Sequence, residues 1–491
     1  MSRRRCLTIL ADGARADLFE GLLKAGELPQ IQKHVIDRGA YRRASSTFTS
    51  TTGPAHLPFI TGCFPGTANV PGYRWFDRAA YRPGLPAGPW CLRSYNGPEA
   101  YLYPRDLDPG IRTIYDLVPD SINVFGVVTK GVQPDNSLFS RVKSPVWLWA
   151  HYGHDYSSAD KLAARATMAA VERRAEYAFV VFPGIDWQSH YVDAEGEGAL
   201  DSYRLIDRTV GRVAEALHKR GDYDDTLIVI CSDHGHSPVD EHYDLPVRLE
   251  KDGGLRVAYH SWPVFRRDPQ AVACVSGNGM CQVYVKANGW RHTPTRDEIA
   301  ALHPGLIEML LAEPATDVVI TREGEGRLVV ESRDGRARLR ETPEGDIEYE
   351  PEPGTDPLGL PPSLPGRLTQ EEALAATFDT RHPDGLVQIA QLYRSARAGD
   401  ITVSAKPGYD LRDRYERPEH HSAHGSLDTM HMRTPLAVSA PVVDGPLRTA
   451  DVFASTLEWL GRPVPEGIDG TSRLAITPEL VARAVIGGAD H

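Results

Sequence analysis

The sequence predicts an α/β domain: a largely parallel central sheet flanked by helices, carrying a small β-rich insertion. Continuous apolar runs at 6–11, 177–182 and 226–231 have the length and composition of strands buried on both faces, which is how parallel strands read. Helical patterns lie between them, and parallel strands need such crossovers. Each run leads into an acidic residue, Asp12, Asp186 or Asp233, and ligands of open α/β sheets bind just beyond the carboxyl ends of the strands.

Taken in order, the first strand stops at Asp12-Gly13, helices are expected over 17–24 and 28–38, and an extended stretch covers 40–48. That stretch leads into Ser50-Thr51-Thr52-Gly53-Pro54-Ala55-His56. Pro54 suits a first helical turn because it has no N–H to lose there, so Thr52 is expected at the N-cap. A hydroxyl in that place faces unpaired N–H groups and the positive end of the helix, where oxyanions settle. Residues 62–110 are rich in Gly, Pro and aromatics, including Trp75, Phe76, Tyr81, Trp90 and Tyr95, and read as long loops lining a site. The alternation continues with a helix at 111–118, a strand at 122–128 ending at Thr129-Lys130-Gly131, a helix at 159–174, the strand 177–182, a helix at 200–220 and the strand 226–231.

From 239 the pattern changes. A strand at 279–285 and a helix at 296–312 precede short alternating runs at 318–320, 327–332, 337–340 and 347–349, separated by Gly and Asp-Gly turns. These form an antiparallel meander over about 315–365, closed by the Pro-rich stretch 351–365. The core resumes with a strand at 400–405, then His424-Gly425, a strand at 434–440 and a helix at 449–460. Residues 1–238 and 395–491 are thus expected to form the catalytic core, with 239–394 as an insertion or cap region.

Composition narrows the partners. The chain has 491 residues, 54 Lys plus Arg against 66 Asp plus Glu, and a net charge of -12, so no basic field draws it to duplex nucleic acid or anionic lipid. The apolar run after the basic residues 3–5 is too short for a signal-peptide core or a membrane span, and a cytoplasmic protein is expected. The six cysteines lack zinc-like spacing and read as buried reduced thiols.

Chemistry concentrates at the strand ends. Asp12, Asp186, His190, Asp233, His234 and His424 supply carboxylates and imidazoles, a mixed set suited to Zn²⁺, with Mn²⁺ or Fe as alternatives. Six ligands exceed one open site and would serve two ions roughly 3.5–4 Å apart, a spacing suited to in-line phosphoryl displacement. A metal-activated Thr52 would be the nucleophile.

Asp12-Gly13, Thr52-Gly53-Pro54-Ala55-His56, Thr61-Gly62 with Pro65, Asp186 with His190, Ser232-Asp233-His234-Gly235 and His424-Gly425 together resemble the alkaline phosphatase superfamily, closest to its type I phosphodiesterase/nucleotide pyrophosphatase branch. The resemblance implies an alkaline-phosphatase-like fold and a phosphate ester as small-molecule substrate. It implies that Asp12, Thr52, Asp233 and His234 hold one metal and Asp186, His190 and His424 the other, with Thr52 becoming a phospho-enzyme. Two departures bear on substrate. Where the branch usually has an Asn that binds a phosphoryl oxygen, Tyr73 and Arg74 stand here as candidate substrate contacts. Lys130 resembles a monoesterase phosphate clamp, but Val132 stands where that group has its Arg. The expected activity is phosphodiester or pyrophosphate hydrolysis; the alternatives are a phosphomonoesterase using Lys130 and, more remotely, a metal-binding protein without turnover. His56 reads as structural, and His236, His420 and His421 as neighbours of the site.

Overall fold

The structure, a computed structural model, describes residues 3–82, 88, 90–95, 98–138, 155, 157–259, 268–412 and 419–475. The three apolar runs form the strands Arg5–Ala11, Tyr177–Phe182 and Thr226–Cys231, each buried along its whole length. They are neighbours at the centre of an eight-stranded sheet. Its order is Leu447–Arg448, Ala40–Ser45, Arg433–Val438, Thr226–Cys231, Arg5–Ala11, Tyr177–Phe182, Ser121–Val124, Ser137–Leu138. Every pairing is parallel except the two made by Arg433–Val438. Register brings Ala11 level with Phe182, and Leu10 level with Cys231. The three strands therefore end together, and the acidic residues that follow emerge at one edge.

Helices Ala16–Lys24, Ser157–Glu172, Glu197–Arg220 and Asp451–Trp459 flank this sheet. Ile9, Phe179 and Ile230 of the strands share one core with Val210 and Phe453 of the helices. Each such side chain contributes about 1.5–3 kcal/mol on burial, which outweighs the weak propensity of any single strand. Among the described residues no helix is long and apolar enough to cross a membrane.

A second sheet has nine strands in the order Val257–Tyr259, Ala271–Ser276, Met280–Val285, Ile401–Ala405, Thr316–Gly324, Arg327–Ser332, Gly335–Glu341, Ile347–Pro351, Arg367–Leu368. It is antiparallel apart from its first pair. The expected meander is its outer half. The run at 400–405, expected to rejoin the core, instead lies between Met280–Val285 and Thr316–Gly324. Burial on both faces marks a central strand but does not say of which sheet.

Three further expectations change in detail. The helix expected over 296–312 is two, Arg296–Leu302 and Leu306–Ala312, because Pro304-Gly305 interrupts it. The helix expected over 28–38 becomes a short α turn, Pro29–Ile31, followed by a π turn, Gln32–Ile36. The loops over 62–110 contain a hairpin, Arg74–Phe76 with Leu92–Ser94.

Candidate metal centre at the strand ends

Asp12 follows its strand directly, and Asp233-His234 follow Thr226–Cys231 after one residue. Asp186 and His190 lie one turn apart on the helix Gly184–Tyr191, so both project from the same face. The helix start is fixed from outside: the Gly184 N–H donates to Asp160 Oδ1 at 2.8 Å. His424 arrives from the other end of the chain and bridges to Asn278 of the second sheet's first hairpin. All these side chains are buried.

Hydrogen bonding fixes the imidazole tautomers. His190 Nδ1 donates to the Ser422 carbonyl at 2.9 Å, His424 Nδ1 to the Ser50 carbonyl at 3.0 Å, and His234 Nδ1 to the Gly235 carbonyl at 3.2 Å. A carbonyl only accepts, so each Nδ1 carries a proton, and in the neutral ring each Nε2 then presents a lone pair. Those lone pairs face carboxylates. His190 and His424 Nε2 lie 3.4 and 3.7 Å from Asp186 Oδ1; His234 Nε2 lies 3.5 Å from Asp12 Oδ1 and 3.4 Å from Asp233 Oδ2. Asp233 Oδ2 is fully buried and has no hydrogen-bond partner among the described residues. Lone pair against lone pair in a dry pocket is repulsive, and a divalent cation between them removes the conflict. The residues therefore fit a metal centre. Ligand atoms of Asp12, Asp233 and His234 lie within 4.8 Å of one another, as do those of Asp186, His234 and His424 and those of Asp186, His190 and His236.

The electrostatics agree. Burial, then the charges of Asp233 and Asp186, raises the Asp12 carboxyl well above the ordinary aspartate range. Burial alone would raise Asp186 and Asp233 too, but positive charge beside them, from His190 at the first and His234 at the second, holds both low, a charge that a bound cation would supply instead. Burial pushes His424 well down and His236 to about 4, keeping the rings neutral, as metal ligation requires.

A family model described as type I phosphodiesterase / nucleotide pyrophosphatase matches residues 6–427. The chain belongs to that family. Its members are phosphoric ester hydrolases of the alkaline phosphatase superfamily, so this chain is a hydrolase of that class. No match was found among proteins of curated function. Similar solved structures include phosphonoacetate hydrolase from Sinorhizobium meliloti 1021 in complex with phosphonoformate, at 18% identity and TM-score 0.55, covering 93% of this chain and 96% of that one. Murine ectonucleotide pyrophosphatase / phosphodiesterase 5 aligns at 13% identity and TM-score 0.55, covering 95% of this chain and 98% of that one. An inactive threonine-to-alanine form of the murine protein, in complex with AMP, aligns at 12% identity and TM-score 0.55 over 95% of this chain and 98% of that one. At these identities the structures attest the fold.

Against that family, the other expected residues fall as follows. Thr52 is not the N-cap. The helix opens with a 3₁₀ turn, Pro54–His56, and Gly53 caps it at φ 98, a backbone conformation that favours glycine. This turn leaves the Thr52 hydroxyl to the strand ends, where Oγ1 donates to Asp12 Oδ1 at 3.1 Å and lies 3.1 Å from His234 Nε2. Tyr73 stands beside it: a Cβ on Gly53 would come within 3.7 Å of the Tyr73 ring. The buried Arg74 guanidinium donates to Ser94 Oγ and the Val275 carbonyl, tying the hairpin to the second sheet. Lys130, expected as a phosphate clamp, donates its ammonium to the Ile111 carbonyl. His56, read as structural, is fully buried with Nε2 3.3 Å from Asp233 Oδ2. His236 was missed as a candidate ligand, although its place two residues after His234, at the same strand end, was a signal.

Proposed function

We propose that the chain hydrolyses phosphodiesters or pyrophosphates through a phosphorylated Thr52. The observation that carries this reading is the Thr52 hydroxyl, 3.1 Å from both Asp12 Oδ1 and His234 Nε2 over the buried ligand set. Asp12, Asp233 and His234 with Thr52 would hold one divalent ion, and Asp186, His190 and His424 the other. Zn²⁺ suits this mixed set first, with Mn²⁺ or Fe as alternatives. When bound, the ions supply positive charge for the phosphoryl oxygens and lower the pKa of the attacking hydroxyl.

The chain's own residues do the rest. Thr52 Oγ attacks phosphorus while the bond to the leaving oxygen breaks, and the existing hydrogen bond gives the hydroxyl proton a destination at Asp12 Oδ1. Water then attacks phosphorus, the Oγ–P bond breaks, and Thr52 is regenerated. Tyr73, beside the Thr52 turn, is the substrate contact we favour, and Arg74 holds the hairpin that presents it. The monoesterase alternative rested on Lys130; engagement of its ammonium by Ile111 favours the diester reading. The six cysteines are buried free thiols, the state a reducing compartment maintains, which supports the cytoplasmic placement.

Acid-quenched turnover of bis(p-nitrophenyl) phosphate, followed by peptide mass analysis, should place the added nitrophenyl phosphoryl mass on Thr52. Thr52→Ala should lose several orders of magnitude in rate with about 1 kcal/mol or less in stability. A Thr52→Ala variant that still turns over, or an adduct on another residue, would discard the mechanism.

A further inference from the structure

His236 lies at the strand end without an assigned role, and its geometry is that of a ligand. Asp186 Oδ1 is 3.0 Å from His236 Nε2, 3.4 Å from His190 Nε2 and 3.7 Å from His424 Nε2. Donors about 2.0–2.1 Å from one tetrahedral ion are separated by edges of about 3.3 Å; the ligand atoms of Asp186, His190 and His236 lie within 4.8 Å of one another, while His424 groups with Asp186 and His234. The ring centroids agree independently: His190 to His236 is 4.8 Å, His190 to His424 is 5.0 Å and His236 to His424 is 5.1 Å. Three imidazoles directed at one ion should form a triangle with sides of about 5.2 Å, given those bond lengths and the ring size. His420 is different. It packs on His190 at 4.3 Å but turns Nδ1 to the Asn278 amide.

Two further observations bear on His236 in this place. Its Nδ1 is 3.0 Å from Ser422 Oγ, a hydroxyl that can accept or donate: accepting Nδ1–H it leaves Nε2 a lone pair for an ion, and donating it leaves an Nε2–H bonded to Asp186 Oδ1. Gly13, next to Asp12, makes room for it. A Cβ there would stand 2.6 Å from His236 Nε2, and φ at Gly13 is +76.

We propose that His236 is a direct ligand of the second ion, giving a site of one carboxylate and three imidazoles: Asp186, His190, His236 and His424. This rests on the two-ion reading of Proposed function. The two sites then differ in charge. Two carboxylates face the first ion and one faces the second, so the second keeps a net positive charge and is the better holder of an anionic phosphoryl oxygen.

The test uses wild-type protein labelled with ¹⁵N-histidine and loaded with ¹¹³Cd²⁺, so no variant need fold. One cadmium resonance should couple to three imidazole nitrogens and the other to one, that of His234. His236→Gln, where it folds, assigns the third coupling. A crystal structure of the zinc-loaded enzyme should place His236 Nε2 about 2.0–2.1 Å from the ion. Two couplings at the first resonance, or His236 Nε2 beyond 2.8 Å from the ion with its N–H directed at Asp186, overturns this inference and leaves the two-ion reading standing. Failure to bind cadmium or zinc at all overturns that reading itself.

Discussion

Two buried acidic regions of this chain are opposites. Asp384 is fully buried and closed: Arg448 Nε and Nη2 donate to its two oxygens at 2.7 and 2.8 Å, and Gln388 adds a bond at 2.8 Å. Arg448 in turn donates to the Gln370 carbonyl, and its backbone N–H donates to Asp451. At the strand ends Asp12, Asp186 and Asp233 are buried without an Arg or Lys among the partners described above. Their neighbours there are imidazoles that present lone pairs. Burial is the same in both places; what differs is whether the chain supplies the counter-charge. Where it does, the network holds structure, and where it does not, the fold has built a receptor for a cation.

The largest effect expected from that contrast is at Asp186. Asp186→Ala should remove one ion and lower hydrolysis by several orders of magnitude, readable by elemental analysis and diester turnover. In chelator its urea midpoint should fall only modestly, because relief of crowding by Asp12 and Asp233 offsets part of what is lost when His190 and His236 lose their partner. A large loss of stability in the chelated state would put Asp186 in the same class as Asp384.

Asp384→Ala should act the other way. Leaving Arg448 buried without its partner costs about 3–5 kcal/mol, with metal content per folded chain unchanged. Chemical denaturation alongside metal analysis reads both, and loss of metal from chains that remain folded would erase the contrast.

Asp160 is a third kind of buried carboxylate, offered neither an arginine nor a cluster. Its Oδ1 accepts from Gly184, Oδ2 has no hydrogen-bond partner among the described residues, and burial pushes its pKa up to about 7. Because the folded value lies above the ordinary aspartate value of about 3.9, the stability linked to this proton is fully present below about pH 4 and is lost as pH rises to about 7. Asp160→Asn keeps the acceptor for Gly184 and has no proton to lose. In chelator, its stability relative to wild type should rise between pH 4 and 7 by up to a few kcal/mol, the order set by the size of the shift. A flat difference would show that Asp160 ionises freely in the fold.

These regions also show what the residue pattern reveals. Strands buried on both faces read as continuous apolar runs, so Asp12, Asp186 and Asp233 were legible at the ends of theirs, and the parallel register then forces the three together. Partner choice was not legible. The run at 400–405 carries the same burial signal in the second sheet as it would in the first. The Thr52 cap was misplaced by one residue because Pro54 marks a first helical turn equally well whether Thr52 or Gly53 caps it, and only the backbone angle decides. The closeness of His236 to Asp186 was not legible because a lone histidine near a motif is more often packing than ligand, and only three-dimensional distances bring the two together.

The smallest effect should come from Lys130, which belongs to neither network. A monoester carries about two negative charges at pH 7 and a diester one, so an ammonium at the non-bridging oxygens would lower the monoester barrier more. A clamp of that kind needs its charge free to face the substrate. Here the ammonium is bonded to the Ile111 carbonyl, while the Lys130 carbonyl accepts from Thr113 Oγ1 at 2.8 Å, in the corner where Thr113 caps the helix Ile114–Leu117. Lys130→Ala should therefore cost about 1 kcal/mol of stability and change the turnover of p-nitrophenyl phosphate and bis(p-nitrophenyl) phosphate by the same small factor, within about threefold. A selective loss of monoester turnover beyond tenfold would mean that the side chain swings from Ile111 to the phosphoryl group on binding, and the monoesterase reading would then displace the diesterase one.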